Sequence, residues 1–220
     1  MLKYPCLVLD HDDTVVRSEA TVNYPSFLES LAVICPGKTI SLEDFSRMCF
    51  SPGFSAMCLE RFGFTQEQLD WQFAQWKNYV VDHIPPAFEG IDRVIRRQKE
   101  AGGLICVSSH SSYINITRDY LKYFGIAPDG IFGWDLEPEQ RKPAPYALDQ
   151  IMQRFGLEPK DLLMVDDLKP GYDMAKARGV DFAWAGWGRP RIPEIGDFMD
   201  ANSDFVFQTP RELERFLFDS

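Results

Sequence analysis

The chain has 220 residues, of which 45% are hydrophobic and 25% charged, and a formal charge of −10; this suits a globular core carrying one large insertion. The acidity and the lack of any Lys/Arg run argue against a nucleic-acid partner, and a phosphorylated substrate would be repelled unless a metal or a local cation offset the charge. No stretch approaches the ~20 apolar residues of a membrane span, and Cys6, Cys35, Cys49, Cys58 and Cys106 lack zinc-site spacing, so free thiols in a reducing cytoplasm are expected.

The N-terminal residues lead straight into an apolar run, Tyr4–Leu9, without the apolar stretch of a secretory signal. That run is expected to be a strand, and it ends in Asp10-His11-Asp12-Asp13-Thr14. Ligands of open parallel sheets bind beyond the carboxyl ends of the strands. Asp10 and Asp12, two apart on the emerging chain, can both reach one point there, although Asp12, Asp13 and Thr14 could equally cap a turn. From Val16 to Pro85 helical segments follow at Tyr24–Val33, Ser41–Cys49, Phe54–Phe62 and Thr65–Val81, with no convincing strand. Ser41 ahead of Glu43 and Asp44, and Thr65 ahead of Glu67 and Gln68, mark helix starts. Residues 17–85 are therefore expected to form a helical cap inserted into a core made of residues 1–16 and 86–220.

Beyond Pro86, helices expected at Ile91–Ala101, Tyr113–Phe124, Tyr146–Phe155, Tyr172–Arg178 and Arg211–Phe218 alternate with apolar runs at Leu104–Val107, Ile131–Trp134, Leu162–Val165, Phe182–Ala185 and Phe205–Phe207. Continuous apolarity predicts strands buried on both faces, hence an α/β, doubly wound, Rossmann-like parallel sheet. Leu104–Val107 ends in Ser108-Ser109-His110-Ser111-Ser112, whose hydroxyls and N–H groups could cradle a phosphate or simply cap the next helix. His110 could point into the pocket, but is expected to be a helix-start residue without a catalytic role. Pro143 and Pro145 stiffen Arg141-Lys142-Pro143-Ala144-Pro145 and fix where Lys142 points. Leu162–Val165 ends in Asp166-Asp167. Like charges about 4 Å apart repel by ~4 kcal/mol at an effective dielectric of ~20. Five carboxylates converging from two strand ends therefore call for a divalent cation, and an all-oxygen donor set selects magnesium.

The order D-x-D-x-T, strand-end Ser, K-P-x-P, strand-end D-D resembles the haloacid dehalogenase superfamily of phosphohydrolases. The tail, Ala185-Gly186-Trp187-Gly188 and then Asp204-Phe205-Val206-Phe207 with Pro210-Arg211-Glu212-Leu213, and the helical insertion are similar to its phosphoglycolate-phosphatase and β-phosphoglucomutase-like members. The resemblance implies Asp10 as nucleophile and metal ligand, and Asp12 as general acid/base that also binds metal through its backbone carbonyl. It places phosphoryl oxygens on Ser108, Ser109 and Lys142, and magnesium on Asp167 directly and on Asp166 through water. Asp13 stands where many members have Gly, His11 is unusual between the paired aspartates, and Gly171 replaces an acid found in many relatives. The expected activity is magnesium-dependent hydrolysis of a small phosphorylated metabolite through an aspartyl-phosphate. A phosphosugar mutase would use the same residues, and a catalytically idle binding protein could share the scaffold. Asp12 separates this reading from a dehalogenase or a phosphonate hydrolase. In the cap, Arg47, Arg61, Lys77 and the loop Ser51-Pro52-Gly53-Phe54 are candidate leaving-group contacts; Trp71, Phe73, Trp76 and Tyr79 read as packing, and the His11 imidazole is expected to face the cap or solvent.

Overall fold

Strand β1 (Cys6–Leu9) is buried along its whole length, with Leu7 and Leu9 in one hydrophobic cluster and Cys6 and Val8 in another. A strand apolar on both faces needs a layer on each side, and the computed structural model, which describes residues 2–188 and 192–219, supplies both. Among these residues β1, β2 (Leu104–Ser108), β3 (Gly130–Phe132), β4 (Leu162–Asp166), β5 (Asp181–Ala185) and β6 (Phe205–Phe207) form one parallel sheet in the order β3-β2-β1-β4-β5-β6. Helices α5 (Ile91–Glu100), α6 (Tyr113–Phe124) and α10 (Pro210–Phe218) cover the Leu7 face; α7 (Tyr146–Phe155), α8 (Lys169–Lys176) and α9 (Pro193–Asn202) cover the Val8 face. Each fully buried aliphatic side chain in these layers contributes about 1.5–3 kcal/mol. The chain moves outward from β1 on one side and restarts with β4 on the other, so the crevice at the switch point opens beside the ends of β1 and β4.

Between β1 and α5 lie the cap helices α1 (Tyr24–Ile34), α2 (Leu42–Phe50), α3 (Phe54–Ala56) and α4 (Gln66–Asp82), with π-helical turns at Glu19–Asn23 and Met57–Arg61. Phe27, Leu31, Phe45, Met57, Phe62 and Phe64 form a separate core for this insertion. The expected helix starts are present: the Asp44 N–H donates to Ser41 Oγ at 3.0 Å, and Thr65 and Gln68 form a reciprocal capping box. The two crossings back to the sheet run side by side, with the Arg17 N–H donating to the Pro86 carbonyl at 2.8 Å and the Phe88 N–H to the Val15 carbonyl at 3.0 Å.

Helix α9 lies outside the expected elements. Gly196 and three acids weaken its helical pattern, while Pro193 in its first turn and the buried Ile195 and Met199 make it a packed helix. Trp134, expected within a strand, lies beyond β3 and faces the cap instead. Among the described residues no helix is long and apolar enough to cross a membrane.

Candidate active site

The Asp10 N–H donates to the Val165 carbonyl at 2.9 Å, which carries the β1–β4 ladder one residue past β1 and fixes the side chain at the switch point. There Lys142, from the stiff segment before α7, donates through Nζ to Asp10 Oδ1 at 2.7 Å and to Asp166 Oδ2 at 2.6 Å. All three side chains are at most 5% exposed. Burial alone would lower the lysine's pKa; the two carboxylates outweigh it and hold the ammonium above its ordinary value, so Lys142 is a fixed cation. Burial pushes the Asp166 carboxyl up, against Lys142 and with help from Asp10 and Asp167. Its Oδ1 accepts the Leu168 N–H at 2.8 Å.

Asp10, Asp166 and Asp167 each offer one carboxylate oxygen, and these oxygens all lie within 4.8 Å of one another. This buried, all-oxygen set could hold a divalent cation. Lys142 offsets part of the cluster's charge, and a divalent cation would offset the remainder.

Asp12 stands on the cap side of the same loop, with Ser109 Oγ donating to its Oδ2 at 3.5 Å. Burial, partly countered by His11, raises the pKa of Asp12, the direction required of a proton donor. Asp13 takes the left-handed conformation, with φ of 55°, and its Oδ2 accepts the Glu19 N–H at 3.0 Å. Gly and Asp tolerate that region better than most residues, which accounts for Asp where relatives use Gly.

Ser108, singled out as a phosphate ligand, is not brought into the site: its Oγ lies 3.8 Å from Met174 Sδ, within the Val8-side layer. Side chains alternate along a strand, so Ser109 is the serine that faces Asp12 and the cavity. His11 is 1% exposed and borders a small cavity with Val22, Asn23, Trp76 and Val80 of the cap; Nε2 meets Asp119 Oδ2 at 3.1 Å and the ring stacks on Tyr120. His110, though exposed, lines the cavity, and its Nε2 sits 3.0 Å from the Lys142 carbonyl. Desolvation beside the cavity wall and then the Lys142 charge push its pKa down.

The cavity over the carboxylates measures about 920 Å³. Pro52, Gly53 and Phe54 line it as expected. Arg47 instead bonds Glu43, Asp44 and Glu194 on the surface, Arg61 points at Met48, and Lys77 lies over the Phe73 ring. Phe73 and Trp76 face the cavity, and Glu19, Asn23 and Gln72 join them. The 72/73/76 spacing on α4 puts these three on one helix face; nothing local in the sequence tells that face from an ordinary packed one.

Gly171 explains its own departure from relatives that carry an acid. A Cβ there would lie 2.6 Å from Asp166 Cβ, so α8 can approach the carboxylate only without a side chain. Gly171→Ala is expected to displace Asp166 and lower kcat by about 10–100-fold, with metal affinity weakened in parallel; magnesium titration of the variant's activity checks this.

Asp119 yields a pH-dependent prediction. Burial opposes its ionisation, yet His11 and Arg118, the latter donating at 2.7 Å, hold its carboxyl below the ordinary value. A depressed folded pKa stabilises above the unfolded value of 3.8, and that contribution disappears as pH falls through the folded pKa. Asp119→Asn should therefore lose ~1–3 kcal/mol near neutral pH, and the gap to wild type in urea unfolding should close in strong acid.

The sequence model of the haloacid dehalogenase-like hydrolases matches residues 4–179. No curated protein matches the chain. Among solved structures, a predicted phosphoglycolate phosphatase from Haemophilus somnus 129pt is 17% identical, with a TM-score of 0.79 over 98% of this chain and 99% of that one. CbbY from Rhodobacter sphaeroides, a mutant in complex with xylulose-(1,5)-bisphosphate, is 17% identical, with a TM-score of 0.72 over 97% and 96%. A haloacid dehalogenase-like protein of unknown function from Agrobacterium tumefaciens is 20% identical, with a TM-score of 0.75 over 97% of both chains. These similarities extend over core and cap together and establish the fold.

Proposed function

The chain belongs to the haloacid dehalogenase-like hydrolases, and from that premise we propose that it is a magnesium-dependent phosphohydrolase that passes the phosphoryl group of a small monoester to Asp10 and then to water. The observation that carries this reading is the buried Lys142 ammonium shared between Asp10 and Asp166, beside the carboxylate of Asp167. Few structural roles require three acids and one fixed cation at a switch point. Names of structures with the same fold, a phosphoglycolate phosphatase and a bisphosphate complex, agree with a phosphate-ester ligand.

In the proposed reaction an Asp10 oxygen attacks phosphorus in line as the P–O bond to the leaving group breaks. Asp12, whose pKa burial raises, gives its proton to the departing oxygen. Asp12, now a carboxylate, takes a proton from the water that attacks the aspartyl-phosphate, and the P–O bond to Asp10 breaks to release phosphate. Lys142 stays ammonium throughout, orienting Asp10 and facing the phosphoryl oxygens, and Ser109 supplies a hydroxyl donor. Asp10, Asp166 and Asp167 would hold the magnesium ion, whose charge neutralises the phosphoryl oxygens. Residues 17–85 act in this proposal as a cap that excludes bulk water from a core of residues 1–16 and 86–220.

Exhaustive chelation is expected to reduce phosphatase activity to background, with magnesium restoring it and calcium failing to, because calcium's longer, looser coordination misplaces Asp10. A screen of phosphate monoesters with and without magnesium makes the test; full activity in the chelated protein would overturn the metal assignment.

A further inference from the structure

Resting on that reading of the site, we propose that the substrate is a phosphate monoester whose leaving group presents a flat aromatic ring. The ring follows from the walls. Phe73 and Trp76 of α4 stack 5.5 Å apart, and Phe73 meets Trp134 of the core 5.1 Å away, so cap and core together form a half-buried aromatic wall on the cavity. Such side chains bind best to another flat, apolar group.

Polar groups border the ring site: the Arg141 Nε donates to the Leu136 carbonyl at 2.8 Å, and its guanidinium lies 4.1 Å over the Trp134 ring. The Gln72 amide, 3% exposed, offers both a donor and an acceptor to a polar substituent. Size agrees: a cavity of about 920 Å³ is far larger than a two-carbon acid phosphate needs, and pockets of ~300–1,000 Å³ take ring-bearing ligands.

The test uses the intact protein with magnesium and three esters that all leave as alkyl alcohols, so that leaving-group chemistry is matched: ethyl phosphate, benzyl phosphate and phosphoglycolate. Benzyl phosphate is expected to exceed ethyl phosphate and phosphoglycolate in kcat/KM by about tenfold or more. Trp134→Ala should shrink the benzyl-to-ethyl ratio by raising KM for the benzyl ester. If ethyl phosphate or phosphoglycolate turns over as well as benzyl phosphate, the proposed leaving group is wrong while the phosphohydrolase stands. If none of the three is hydrolysed, the phosphohydrolase reading falls, and this proposal with it.

Discussion

Replacing Asp10 with asparagine is expected to lower turnover by on the order of 10⁴–10⁶-fold, the scale seen when a nucleophile is removed from an otherwise intact site. The isosteric amide keeps an oxygen that can accept from Lys142, and Lys142 keeps Asp166 as a charged partner at 2.6 Å. Removing one of three buried carboxylates also relieves their mutual repulsion. Unfolding stability should therefore stay within about 1 kcal/mol of wild type. Single-turnover kinetics beside urea unfolding would separate the two effects; a loss of activity matched by a loss of fold would show Asp10 to be structural.

Lys142→Met should do the opposite and damage both. The methionine fills most of the volume, but it leaves Asp10, Asp166 and Asp167 buried together without their cation. Breaking a buried pair in this way costs about 3–5 kcal/mol. The cost should be larger at alkaline than at acid pH. Asp166, whose pKa is already raised by burial, can take up a proton in the folded state, and a raised folded pKa means stability is lost as pH rises through it. Magnesium binds only the folded form and should restore part of the loss in the variant. Urea midpoints at two pH values, each with and without magnesium, would show this; an unchanged midpoint at alkaline pH would mean that the three acids do not carry charge together.

The sheet was largely legible because its strands are apolar on both faces, and such runs as Leu162–Val165 have few alternatives once Gly, Pro and acids bound them. Asp10, Asp12, Asp166 and Asp167 were legible for a related reason: charges immediately after buried strands have no cheap structural explanation; Lys142 was legible through the prolines that stiffen its segment. Helix α9 was obscured because its apolar face is completed by partners far away in the chain, Phe50 and Tyr172 against Phe198. Ser108 and Ser109 are the same residue type one position apart, so only the phase of the pleat separates a hydroxyl beside Met174 from one beside Asp12. The partner of His11, Asp119, was not legible because it lies 108 residues away on α6. The cap wall was the least legible part, since Phe73 and Trp76 become cavity residues only when Trp134 arrives from the end of β3.

In the proposed reaction phosphate passes through a covalent bond to Asp10. Acid quenching during turnover, followed by peptide mapping by mass spectrometry, detects that bond. One added phosphoryl group is expected on the peptide carrying Asp10, released by hydroxylamine and absent from Asp10→Asn. A phosphoryl group on Ser109 or on any other side chain would contradict it.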